Sequence, residues 1–211
     1  MTMTISRLYD SYDAASRAVR DLEAAGLSHA NISLVSSNAD NWYSGDAGKS
    51  KRTKLDRDRD GMDDRNESAG ALAGIGAVVG GTAGLLTGLG SMAIPGIGPV
   101  VAAGWLAATA LGAIAGGATG GIIGALTQAG HSKEDAEVYA EGVRRGGTLL
   151  SARVPDNERA RYEAILDQGA VNIRTRAEAY RESGWRGFDP NARPYESDQV
   201  RAERERYIDR L

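Results

Sequence analysis

The sequence predicts an α+β fold cut in two by a Gly/Ala-rich insert, and three observations lead there. Residues 68–131 hold no Asp, Glu, Lys or Arg, while both flanks are densely charged. Within that stretch small residues recur at every fourth position: Gly76, Gly80, Gly84 and Gly88, then Ala108, Gly112, Gly116, Gly120 and Gly124. The flanks repeat one pattern, strand–helix–strand, over residues 5–35 and again over 149–173. Two such units form a ferredoxin-like βαβ sandwich. The insert then falls between its second and third strands.

Each element has a local reason. Ile5 and Leu8 alternate with polar residues and predict a first strand. Ser11 is placed to cap a helix, with Asp13 in the first turn and Ala15, Ala18, Val19 and Leu22 on one face. Gly26 ends that helix, and Ile32, Leu34 and Val35 predict a second strand. After the insert, Ser132 to Asp135 has the form of a capping box, and Ala136, Tyr139, Ala140 and Val143 share a helical face. Residues 148–154 predict a strand. Asp156 or Asn157 caps a helix that Gly169 ends, and Val171 and Ile173 predict a last strand. The organisation expected is residues 1–38 and 132–176 as two halves of one domain, 39–67 as a charged polar insert, 68–131 as the glycine-rich hairpin, and 177–211 as an aromatic and charged tail.

A step of four puts the glycines on one face of a helix. A face without side chains lets two backbones approach closely, the small-xxx-small packing of membrane helices. The run Ile94-Pro95-Gly96-Ile97-Gly98-Pro99 cannot continue a helix, so a hairpin of helices over 69–92 and 99–129 is expected. Each arm is long enough to span about 30 Å of hydrocarbon. Apolar side chains of the first arm favour insertion by roughly 0.3–0.6 kcal/mol each, and its many glycines work against it. Two readings stand. In one, membrane lipid surrounds the hairpin, and the basic cluster 49–54 holds both termini in the cytoplasm. In the other, the hairpins are buried in the core of a soluble homo-oligomer.

Composition narrows the chemistry. The 211 residues carry a net charge of −3, which points to no nucleic-acid partner. No cysteine is present, so disulfides, thiolate metal sites and thiol catalysis are excluded. The two histidines, His29 and His131, leave little for general-base work, and neither catalytic residues nor a small-molecule substrate is legible. The sharpest motif is Asp56-Arg57-Asp58-Arg59-Asp60-Gly61-Met62-Asp63-Asp64-Arg65-Asn66-Glu67. Its spacing matches a calcium loop, with Asp56, Asp58, Asp60, the Met62 carbonyl, Asp64 and Glu67 as ligands. A solvated Asp/Arg run with internal pairing is the alternative. In the tail, Trp185 and Phe188 are read either as a clip onto the chain's own domain or as contacts to a neighbouring subunit.

The segment from Arg7-Leu8-Tyr9-Asp10 to Ser36, together with Glu137-Val138-Tyr139-Ala140-Glu141-Gly142-Val143-Arg144-Arg145-Gly146-Gly147-Thr148-Leu149, resembles the bacterial general stress protein 17M-like (heat-induced stress protein, YflT-type) family. The resemblance implies a bacterial source and a stress-linked role without a reaction. The expectation is therefore a non-enzymatic stress-response protein. It is anchored in the bacterial inner membrane and oligomerised by its glycine zipper, or else a soluble self-assembling protein modulated by calcium.

Overall fold

The computed structural model describes residues 1–43, 90–115 and 121–208. Its centre is a five-stranded antiparallel sheet in the order β1-β5-β2-β4-β3. The strands are β1 (Thr2–Tyr9), β2 (Ile32–Ser37), β3 (Gly90–Ile94), β4 (Gly98–Ala103) and β5 (Thr148–Pro155). β5 pairs antiparallel with both β1 and β2, through Ile5↔Ala152 and Leu34↔Leu150. β1 and β2 therefore run parallel on either side of it, joined by helix α1 (Tyr12–Ala24).

Side-chain alternation gives the sheet two apolar faces. Ile5, Tyr9, Leu34, Leu150 and Val154 face α1 and α5 (Arg159–Leu166). Leu8, Val35, Val100 and Leu149 face α2 (Trp105–Ala115), α3 (Gly121–Gln128) and α4 (Lys133–Arg144). Two of the caps expected from sequence are made: Ser11 Oγ accepts from Ala14 N–H, and Ser132 Oγ from Asp135 N–H at 3.0 Å. The cap expected of Asp156 or Asn157 is not: both lie in a 3-10 turn, and α5 begins after Glu158 without a side-chain cap.

Two expectations are corrected. The residues around the Pro-Gly turn are strands. Val100, Val101, Ala102 and Ala103 pair with Ser37 to Leu34 of β2, and β3 pairs with β4 around a turn at residues 95–97. Two adjacent β-branched residues beside an open strand edge prefer the ladder to a helix. The second arm is consequently not one helix from 99 to 129. α2 and α3 pack against each other, and Leu106, Ala110, Ile122 and Leu126 complete the core on the sheet. Among the described residues no helix is long and apolar enough to cross a membrane.

The last strand is also absent. Val171 N–H donates once to Leu8 O, at 2.8 Å on the free edge of β1. Asn172 Oδ1 then accepts from the N–H groups of Arg174 and Thr175 and starts α6 (Ile173–Glu182). Ile173, Ala177 and Tyr180 lie at helical spacing, which outweighs a three-residue alternation. α6 packs on α4 through Val138, Ala177 and Tyr180. α7 (Ser197–Ile208) is the last element, so the charged end of the tail is helical.

Candidate functional site

Among the described residues, the densest set of interlocking charges lies where α4 ends, and the glycines of Glu141-Gly142-Val143-Arg144-Arg145-Gly146-Gly147 make it possible. A Cβ at Gly142 would stand 2.5 Å from Leu8 Cδ2, so its absence lets α4 settle onto β1. Gly146 has φ +103°, which ends the helix, and a Cβ there would strike the buried Val200 of α7.

Glu141 is completely buried and accepts from Arg145 Nε at 2.6 Å and Arg144 Nη1 at 3.0 Å. Arg145 Nη1 continues to Glu203 Oε1 of α7 at 2.9 Å, with its guanidinium 4.2 Å from the Tyr180 ring centre. Burial works against the Arg145 charge, but the hydrogen bonds to Glu141 and Glu203 outweigh it and hold the group above the ordinary arginine range. From α6, Arg176 donates both terminal nitrogens to Asp10, at 2.8 and 3.1 Å, and stacks on Tyr207. From α7, Arg204 donates to Asp40 at 2.6 Å and to the Gly146 carbonyl at 3.0 Å.

The space left among Asp10, Arg145, Arg176 and Glu203 is about 10 Å³, which admits at most one water. Each cation here is already met by a carboxylate. The arrangement fastens α6 and α7 to the ends of β1, β2 and α4; chemically it is a clasp.

His131 forms a second polar set. Ser6 Oγ lies 2.8 Å from His131 Nε2 and 2.8 Å from Ser151 Oγ, while Tyr139 O–H donates to Ser6 O. Burial lowers the His131 pKa, with Asp135 opposing and Arg7 reinforcing the shift. Burial also pushes the Tyr139 phenol up to about 12. A serine–histidine pair suggests a nucleophile. Ser6, however, is fully buried and its hydroxyl is shared with Ser151.

The calcium-loop residues Asp56, Asp58, Asp60, Met62, Asp64 and Glu67 lie outside the described residues, as do Gly76, Gly80, Gly84, Gly88, Gly116 and Gly120. Gly112 belongs to α2 and Gly124 to α3, two separate helices. A Cβ at Gly124 would meet nothing within 4 Å among the described residues. Trp185 packs within the chain on Tyr180, with ring centres 6.1 Å apart, and Phe188 is partly buried against the core between the sheet and α2, α3 and α4.

Sequence reasoning passed over the clasp. Glu141 and Arg145 stand at i and i+4, a visible signal, but nothing local ties Asp10 to Arg176 or Arg145 to Glu203. Compared with protein-family models, curated proteins and solved structures, the chain has no significant match.

Proposed function

We propose that this chain is a non-catalytic, self-associating protein of a bacterial stress response. Its α+β domain, ferredoxin-like in its β1-α1-β2 unit with β5 between the strands, is the platform. The glycine-rich run 70–89, read from its sequence, is the element assigned to association with other copies. The observation that carries this reading is where the stress-family-like residues go. Gly142 is spent on close approach to Leu8, and Glu141 on two arginines, so both serve construction of the domain. The soluble assembly is favoured over the membrane hairpin because Leu106, Ile122 and Leu126 of the second arm are buried on the sheet.

The test is detergent-free lysis of cells expressing the full chain, followed by sizing. A discrete particle larger than a monomer in the supernatant is expected. A monomer sinks the assembly reading. Recovery only from membranes with detergent restores the hairpin as an anchor.

A further inference from the structure

At the end of β1 opposite the clasp, a group of side chains is left unmatched. The pairing Thr4↔Arg153 puts Arg153 on the sheet face covered by α2 and α3. Its guanidinium lies 3.8 Å from the centre of the Trp105 ring. Arg7, Arg145, Arg176 and Arg204 each close on a carboxylate, whereas Arg153 makes no ion pair among the described residues. The Trp105 indole N–H is buried and has no acceptor among them.

Arg153, itself exposed, and Trp105 border a cleft of about 310 Å³, lined also by Thr2, Thr4, Thr109 and Gln128. That volume falls at the lower end of the ~300–1,000 Å³ of ligand pockets. The lining contains a guanidinium, an indole ring, a primary amide and threonine hydroxyls, and no acidic side chain among the described residues. The Thr109 hydroxyl is already spent on the Trp105 carbonyl at 2.9 Å. One positive charge in the lining is thus uncompensated among the described residues. Stacking on indole fixes the plane of a guanidinium while leaving its N–H edge free, and that edge matches two oxygens of a carboxylate or phosphate. A cationic cleft without carboxylates concentrates anions.

We propose that this cleft binds a small organic oxyanion, a carboxylate- or phosphate-bearing metabolite, gripped by Arg153 and oriented by Trp105, Thr4 and Gln128. The site is independent of the clasp and of self-association.

The full chain labelled with fluorotryptophan carries three reporters, Trp42, Trp105 and Trp185. Trp105→Phe assigns the relevant fluorine NMR signal. Glycerol phosphate and citrate are titrated separately, with sodium chloride at matched ionic strength as reference. A saturable shift of the Trp105 signal alone is expected with at least one of the two, and which one decides between phosphate and carboxylate. Arg153→Gln should weaken that binding about tenfold or more, the loss of a charge-assisted pair. Gln128→Ala, at an exposed position, should weaken it less. The proposal is overturned by no saturable shift up to about 10 mM of either anion, by a shift that sodium chloride reproduces, or by a shift retained in Arg153→Gln. Should Arg153→Gln fail to fold, unchanged affinity in Gln128→Ala overturns it instead.

Discussion

Glu141 shows how burial, more than pairing, decides the weight of a charge in this molecule. It is fully buried between Arg144 and Arg145, and Arg145 is nearly as buried. Glu141→Gln leaves Arg145 with one carboxylate instead of two, in a place with room for at most one water. Breaking a buried pair in this way costs about 3–5 kcal/mol. Lys133 and Glu137 pair at the same i,i+4 spacing, but Lys133 is exposed. Lys133→Gln should change stability by about 0.5 kcal/mol or less. Urea midpoints of the two variants separate the cases, and equal shifts would remove the clasp from the account. His131 makes a pH prediction. Its pKa in the fold lies below the ordinary 6.5, so the unfolded chain binds the proton more readily between those two values. Its contribution is fully present above about pH 6.5 and is lost as the pH falls through that window toward the folded pKa. Thermal melts from pH 7.5 to 5.5 should show declining stability, and His131→Gln should flatten the slope. An unchanged slope in that variant would place the titration elsewhere.

At the scale of elements, Gly104 is the hinge between sheet and helix. Its φ is +89°, and a Cβ would fall on the Ile32 carbonyl oxygen and 2.7 Å from Ser33 Cα, backbone of an interior strand that cannot yield. The approach is tight because Ser33 Oγ donates to the Ala103 carbonyl and accepts from Leu106 N–H, stitching β4 and α2 to β2. Gly104→Ala should cost about 2–4 kcal/mol, a melting temperature lower by roughly 5–15 °C for a chain of this size. Gly124→Ala should act oppositely, gaining up to about 1 kcal/mol in a helix interior where the described residues leave open space. A loss at Gly124 would instead mean a partner packs on that face, as the zipper reading requires. These glycines also mark what the sequence could and could not disclose. β1, α1, β2, α4 and β5 were legible because each has its own periodicity and caps, with Ser11 and Ser132 bonding as expected. The β3–β4 hairpin was not, because Gly, Ala and Val satisfy a helical step and a strand equally well. Only the edge of β2 arbitrates between them. The α6 helix was missed for the converse reason, since Val-Asn-Ile alternates over three residues and its helical face emerges only further on. The clasp joins Arg145 to Glu203, 58 positions on, and Asp10 to Arg176, 166 positions on, and the cleft joins Arg153 to the distant Thr4 and Trp105, so no local window of sequence contains them.

For the whole molecule, the question is how much of the chain the domain needs. β2 and β3 run parallel with β4 between them, so the chain leaves the sheet after β2 and rejoins the same sheet at β3. Adjacent strands lie about 4.8 Å apart, which puts β2 and β3 about 10 Å apart. A flexible linker of about ten residues reaches roughly 30 Å when extended, ample to replace residues 44–89 at a loop-closure cost of about 1 kcal/mol or less. Both apolar faces of the sheet are already covered, by α1 and α5 on one side and by α2, α3 and α4 on the other. The clasp meanwhile ties α6 and α7 to the same body. The shortened chain should therefore fold, with a cooperative melt. If self-association resides in the glycine-rich run, that chain should be monomeric by sedimentation while the full chain is not. Equal particle size in both would move the association surface into the domain. Failure of the shortened chain to melt cooperatively would make residues 44–89 an integral part of the core, and the platform description would have to be abandoned.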